Sequence, residues 1–395
     1  MRVLLLVDDY IPKSTRIHGK MVHQLAAELA KAGHNSTVAT PDSTIDKSYV
    51  REMLEGVEVL RFYSPETRVA SKIRRAINES LLSYFAWKNL RGIFNREKFD
   101  LIIIYSPTIF FGPFVKIFKK KWGAETFLIL RDVFPQWAID QGLIKKDSII
   151  GRYFKFFEKL NYNVSNRIAL QSPKNKVWFD LRFPEYSEKT CIVYNWTNEF
   201  GDNLAYKTNY RNHLGLEGKI IFFYGGNMGE AQDMMNLVRL AENIKDHKHA
   251  HFVFVGNGGE YEKVKSSISS KKLENITLLD SVSQEVYKEM LAEFDIGLIT
   301  LHRNHTTHNF PGKLLGYMAE GKPILGSVNT GNDLIELIED SGSGYVTENG
   351  QDNIFKENAL KLIYSNSLRL EMGKNGNKLL KNTFSTQHII DSIIK

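Results

Sequence analysis

Two aspartates stand where strand-ending loops hold proton-accepting groups. Asp9 follows the apolar run Val3 to Val7, and Asp132 follows the run Thr126 to Leu130. A carboxylate so placed either takes a proton from an attacking hydroxyl or caps a turn. Asp132 lies beside Arg131 in a loop bounded by Pro135 and aromatic residues, which holds it in a defined position. A second chemistry is phosphate binding. The turns Gly225-Gly226-Asn227-Met228-Gly229 and Gly256-Asn257-Gly258-Gly259 each follow an apolar run. Glycines at such turns let backbone N–H groups approach phosphate oxygens. Neither turn ends in the Gly-Lys-Ser/Thr of a Walker loop. Lys313, after Pro311 and Gly312, places a point charge at a helix start, where a cation opposes the helix dipole unless an anion is also present. His302, Arg303, His305 and His308 cluster after Gly297 to Thr300. Without paired carboxylates they suit phosphate or sugar hydrogen bonds better than zinc. Asp8-Asp9 is not an Asp-x-Asp metal motif, and no bound metal is expected.

These residues need a frame of strands. Short apolar runs at Val3 to Val7, Thr37 to Thr40, Val57 to Phe62, Leu101 to Tyr105, Thr126 to Leu130 and Arg167 to Gln171 alternate with helix-like or polar segments. The first such helix carries Val22, Leu25, Ala26 and Leu29 on one face and stops at Gly33. The alternation pauses after Val193 and restarts at Ile220 to Tyr224, His251 to Val255, Ile276 to Leu279, Ile296 to Leu301, Pro323 to Gly326 and Gly344 to Val346. It predicts an α/β protein of two doubly wound parallel-sheet halves, with ligands in a cleft at the carboxyl ends of the strands. The expected domains are 1–198 and 199–383, with a last helix near 384–395 packing back on the first.

Composition narrows the partners. The 395 residues are 43% hydrophobic and 25% charged, with a net charge of +7. A basic balance favours an anionic partner: a nucleotide-sugar, a nucleic acid or an acidic membrane surface. Cys191 is the only cysteine, which excludes an internal disulfide framework, and its apolar neighbours predict a small buried hydrophobe. No run reaches the roughly 18 apolar residues of a spanning helix. The opening Met1 to Val7 is too short, and runs too soon into Asp8-Asp9, for a signal peptide. A cytoplasmic location with only peripheral membrane contact is expected. Three basic aromatic segments in the first half, at 68–98, 114–122 and 153–159, have the composition of helices lying on anionic lipid.

The strings Phe252-Val253-Phe254-Val255-Gly256-Asn257-Gly258, Phe294-Asp295-Ile296-Gly297-Leu298 and Pro311-Gly312-Lys313 through Gly321-Lys322-Pro323 resemble the second half of a GT-B glycosyltransferase of the family 4 type. Leu6 to Pro12, Gly19-Lys20 and Arg131 to Trp137 are similar to its first half. Gly225 to Gln232 and Phe310 to Tyr317 look like the WbuB-type L-fucosamine transferases within it. The resemblance implies two Rossmann-like domains facing across a cleft, the acceptor on the first and a nucleotide-sugar on the second. The implied reaction moves a sugar from a UDP-sugar, such as one carrying the N-acetylated 6-deoxy-hexosamine L-FucNAc. The implied acceptor is an undecaprenyl-diphosphate-linked sugar on the inner face of the plasma membrane, in O-antigen or capsule synthesis. No nucleic-acid partner, cofactor or metal is implied. The candidate catalytic residues are Asp132 and Asp9. The candidate substrate contacts are Gly19, Lys20 and Arg131 in the first half. In the second half they are Gly225, Gly226, Asn227, Gly256, Asn257, Ser281, Val282, His302, His308, Gly312, Lys313, Leu314 and Leu315.

The chain departs from the family's pattern at its Glu-x7-Glu pair, whose positions hold His308 and Gly316. The diphosphate-clamping Arg and Lys are also absent around Asn227 and Glu230, which leaves that work to Lys313 and backbone amides. An inverting reaction needs Asp9 or Asp132 as base, whereas a retaining one can use the departing phosphate oxygen. Both stay open, as do two other readings: a UDP-sugar 2-epimerase of the same fold, and a binding or scaffold protein without catalysis.

Overall fold

The run Leu101-Ile102-Ile103-Ile104-Tyr105-Ser106 is buried at every position, as a strand covered on both faces must be. It is the fifth of eight strands in the first sheet of this computed structural model. The structure describes residues 1–394 except 14–16, 68, 70, 141, 143, 199–208 and 305–309, with backbone alone at 17, 72, 137 and 140. The strands are β1 (Arg2–Leu6), β2 (Asn35–Asp42), β3 (Tyr49–Leu54), β4 (Val57–Tyr63), β5 (Leu101–Ser106), β6 (Glu125–Leu130), β7 (Arg167–Leu170) and β8 (Thr190–Ile192). Their order is β3-β4-β2-β1-β5-β6-β7-β8. A second sheet holds β9 (Ile220–Gly225), β10 (Ala250–Val255), β11 (Ile276–Leu279), β12 (Ile296–Thr300), β13 (Ile324–Val328) and β14 (Gly344–Glu348), in the order β11-β10-β9-β12-β13-β14. Strand order reverses between β1 and β5 and again between β9 and β12, which are the switch points where such sheets bind ligands.

The second sheet is parallel throughout. The first is mixed, because β3 runs antiparallel to β4 with Tyr49 opposite Phe62. The two-residue turn Glu55-Gly56 makes this hairpin, with φ of 48° and 83°. Positive φ at both central residues gives the turn a twist that matches its strands. At the other edge, β8 is half-buried along its length, so Cys191 is less enclosed than its neighbours suggest. Burial still pushes its thiol above the usual range, against the pull of Arg167.

The chain divides into two units, Met1–Tyr194 with Ile389–Lys395, and Asn195–His388. Within the first, Arg167 ties down the Thr386–Ile394 helix by donating to the carbonyls of Ser392 (2.8 Å) and Ile393 (3.2 Å). Each unit has its own core. In the first, Leu4, Leu6, Ile102 and Ile104 pack with Phe94, Phe114, Phe118 and Trp122. In the second, the stacked rings of Phe222 and Phe252 (4.8 Å) lie among Met234, Leu237, Leu325 and Phe355.

The three basic aromatic segments have different fates. The Gly112–Trp122 helix turns Phe114, Phe118 and Trp122 into the core, so its aromatics do not face outward. Lys119 is tied to its own unit through the Val164 carbonyl (2.9 Å) and Asn166 Oδ1 (2.6 Å). By contrast the Lys72–Ser80, Leu82–Phe94 and Ile149–Val164 helices leave large apolar side chains exposed, Ile73, Ile77, Tyr84, Ile149 and Phe156 among them. Among the described residues, no helix is long and apolar enough to cross a membrane.

Candidate active site

In the first unit, loops at the β1–β5 switch gather six polar side chains. Asp8 and Asp9 leave β1, and His18 lies in the first turn of the Ile17–Lys31 helix that follows. His18 Nε2 stands 3.9 Å from Asp8 Oδ1 and 3.7 Å from Asp9 Oδ2. Its ring stacks on Tyr105 at the end of β5, with centroids 6.0 Å apart and planes 18° apart. The Tyr105 hydroxyl shares a hydrogen bond with Arg131, and burial pushes it upward. Arg131 also donates to the carbonyls of Val193 (2.7 Å) and Tyr194 (3.0 Å). Its guanidinium is a clamp fixing the loop after β6 to the chain leaving β8. Asp132, next along, is solvent-exposed. The surrounding protein pushes its carboxyl upward and Arg131 pulls it down. Solvent at an exposed group moderates both effects. Gly19 is buried beside His18, and Lys20 is exposed. His18 is absent from the candidates read from sequence. Its signal is positional, since the first turn of the helix after β1 comes back to the switch point.

In the second unit, the turns after β9 and β10 lie on each other. Gly226 N–H donates to the Val255 carbonyl (2.9 Å), Met228 N–H to Asn257 (2.8 Å) and Glu260 N–H to Met228 (2.9 Å). Glycine allows this contact. A Cβ at Gly256, where φ is 156°, would overlap the Gly226 carbonyl, and one at Gly258 would meet the Met228 carbonyl carbon at 2.6 Å. Gly225 packs beneath the Tyr287 ring. The amides of Gly226 and Met228 are therefore committed to the end of β10 and to the turn after it. Asn227 Nδ2 donates to Gln232 Oε1 (2.9 Å), and Asn257 Oδ1 accepts from Gly258 N–H (2.6 Å).

Lys313 begins the Lys313–Ala319 helix with its Nζ 3.3 Å above the Tyr224 ring centroid. A Cβ at Gly226 would lie 3.6 Å from that Nζ, so the ammonium faces the turn after β9. Part of the side chain reaches solvent, while the ammonium sits against protein. Burial holds it well below the usual lysine range, and no described carboxylate offsets that pull. Leu314 and Leu315 are buried, and their amides donate to the Pro311 (3.1 Å) and Gly312 (3.2 Å) carbonyls. Ser281 and Val282 are exposed after β11. His302 donates its N–H to the Ala231 carbonyl (2.9 Å) and lines a cavity of about 370 Å³ with Glu230, Asp233, Glu260 and Lys263. His305 and His308 lie outside the described residues. Among the described residues, no three His, Cys, Asp or Glu side chains assemble a metal site.

Gly312 differs from Gly225, Gly256 and Gly258. It has helical backbone, and a Cβ there would meet no atom within 4 Å. Gly312→Ala should leave stability within about 0.5 kcal/mol of the parent. Gly256→Ala should destabilise by more than about 2 kcal/mol, because it drives the two turns apart. Thermal denaturation compares them, and equal stability would show that the turns separate freely.

Two Rossmann-like units, each with its polar cluster at a strand switch, have the GT-B fold, and the sequence matches are to glycosyltransferases. Residues 207–379 match the family described as glycosyl transferases group 1. WbjE of Pseudomonas aeruginosa, named a glycosyltransferase, is 25% identical over 227 residues, an alignment spanning 56% of each protein. WcaI of Escherichia coli (strain K12), named for colanic acid biosynthesis, is 25% identical over 362 residues and 86% of each. The crystal structure of Anabaena HepE in complex with UDP-glucose superposes with a TM-score of 0.69 at 14% identity, over 100% of this chain and 98% of that one.

Proposed function

We propose that the chain moves a sugar from a UDP-sugar to a lipid-diphosphate-linked sugar in the synthesis of a bacterial surface polysaccharide. One observation carries the donor half: Lys313 is a cation without a described counter-anion, held over Tyr224 beside the turn after β9. A diphosphate supplies the missing charge in charge-assisted contact. HepE, whose structure holds UDP-glucose, supports uridine as the nucleotide, and the name of WcaI, which gives colanic acid biosynthesis, supports polysaccharide synthesis. The WbuB-type strings favour an N-acetylated 6-deoxy-hexosamine such as L-FucNAc as the sugar, and O-antigen or capsule as the product. Asp132 or the Asp9–His18 pair receives the acceptor's proton if the reaction inverts configuration. No metal is needed in this scheme. Incubation with candidate UDP-sugars, with and without a lipid-diphosphate sugar and with chelator present, tests it. Transferred sugar is the expected product. A free epimer would favour the 2-epimerase, no reaction would favour a binding protein, and loss of activity in chelator would remove the metal-free claim. Gly312→Ala should weaken UDP binding despite its neutral effect on folding.

We also propose peripheral binding to the inner face of the plasma membrane, through the exposed helices of the first unit. Ile149 is 87% exposed and Phe156 62%, with Arg152 exposed beside them. Apolar side chains flanked by cations suit an anionic lipid surface. The protein should sediment with vesicles containing anionic lipid and be released as salt rises. A variant with Ile149→Ser and Phe156→Ser should lose most of that binding without changing its melting temperature. Undiminished sedimentation would place the contact elsewhere.

A further inference from the structure

A cavity of about 400 Å³ opens in the first unit between the Ile149–Val164 and Pro173–Arg182 helices. Lys146, Lys155, Lys159 and Arg182 line it, against the carboxyls of Glu158 and Glu185. Its walls are fixed by the fold. Ser148 caps the first helix by accepting from Gly151 N–H (3.0 Å). Gly151 lets the preceding turn close over it, since a Cβ there would meet the Lys145 carbonyl at 2.5 Å and the Lys146 carbonyl at 2.7 Å. That packing holds Lys146 at the rim. Arg182 lies 5.4 Å from the Trp178 ring centroid.

Glu158 forms the floor and is 2% exposed. Its Oε1 accepts from the Tyr162 hydroxyl at 3.2 Å. Burial pushes its carboxyl up to about 7, although the Tyr162 hydrogen bond, Lys155, Arg182 and Lys159 all pull the other way. Near neutral pH the floor therefore alternates between a carboxylate and a hydrogen-bond donor. Glu185, the only other acid on the wall among the described residues, is 3.9 Å from Lys159. Among the described residues of the wall, the cations outnumber the acids whichever form Glu158 takes. Gln136, also on the wall, lies four residues beyond Asp132, and Phe134 packs on Phe154 at 4.9 Å. The cavity thus backs onto the loop that carries Asp132.

We propose that this cavity binds a diphosphate group, with Lys146, Lys155, Lys159 and Arg182 as cationic contacts and Glu158 donating a hydrogen bond to a phosphate oxygen. Resting on the transfer reading above, the diphosphate is the head of the lipid-linked acceptor. The exposed apolar side chains of the same helix then mark the side from which the lipid arrives. A phosphate oxygen beside Glu158 favours its protonated form, so binding takes up a proton when the pH is near or above 7.

The test is calorimetry of inorganic pyrophosphate on the full chain carrying Lys313→Ala, which weakens the donor site. Binding should weaken about tenfold or more when Lys155→Ala and Lys159→Ala are added. Glu158→Gln should retain binding and abolish the proton uptake seen between buffers of different ionisation heat. Undetectable binding, or affinity indifferent to the two lysines, overturns the site. Proton uptake unchanged in Glu158→Gln overturns the role of Glu158. With Lys313 intact, the lysine variant should raise KM for a lipid-diphosphate sugar while UDP affinity stays the same. Weakened pyrophosphate binding with unchanged KM would keep the anion site and remove its assignment to the acceptor. Vesicles of anionic phospholipid that compete with pyrophosphate would make an ordinary headgroup the occupant and overturn the diphosphate assignment.

Discussion

Asp132→Asn should lower sugar transfer by about 10²–10⁴-fold while UDP affinity stays nearly unchanged. The amide keeps the shape of the carboxyl and removes its ability to take a proton. Asp132 is held by its neighbour, because Arg131 is fixed through Tyr105 and the Val193 and Tyr194 carbonyls. A carboxyl raised above the usual aspartate range is a stronger base, and solvent at this exposed residue limits the rise. Activity that needs the ionised form should fall as the pH drops through that raised pKa. Linkage analysis of the product gives the stereochemistry in the same experiment. Near-normal turnover by the Asn variant would move the proton acceptor to Asp9 and His18, which stand 3.7 Å apart.

Lys313→Ala should weaken UDP binding about tenfold or more, a loss of roughly 1.5–3 kcal/mol for a charge-assisted contact. Its pH dependence is distinctive. Burial depresses the free ammonium, so part of the population is neutral at a pH where an ordinary lysine is charged. A bound diphosphate favours the charged form and raises the pKa again. UDP binding should therefore take up a proton, and affinity should fall as the pH rises above the depressed value. Calorimetry at mildly alkaline pH in two buffers measures that proton. Unchanged affinity in the Ala variant would remove Lys313 from the site, and its loss of proton uptake should accompany the loss of affinity.

The strand runs are legible because parallel strands covered on both faces need continuous apolar sequence, as in Leu101 to Ser106. The glycine turns are legible because backbone contact forbids a Cβ, as at Gly256. β3 escapes notice because an edge strand is only half-covered, and Tyr49 to Leu54 alternates exposed and half-buried positions without an apolar run. His18 escapes because its place beside Asp8 and Asp9 is a tertiary fact, and a histidine in an amphipathic helix carries no local mark. The 114–122 segment misleads for the opposite reason. Composition reveals the aromatic face of a helix without revealing whether lipid or the protein's own core receives it, and here Phe114, Phe118 and Trp122 meet the core.

The turns after β9 and β10 interlock through main-chain hydrogen bonds, with the Met228 amide answering the Asn257 carbonyl and the Glu260 amide answering Met228. Each turn takes part of its shape from the other. For anyone redesigning sugar choice, the unit of exchange is therefore the pair. A turn transplanted singly from a relative arrives without the surface that shaped it, and meets one that was shaped by something else. Lengthening either turn likewise moves the other, together with the backbone that faces Lys313. Variation in this part of the molecule is thus expected to be concerted, with substitutions at 225–229 tracked by substitutions at 256–260.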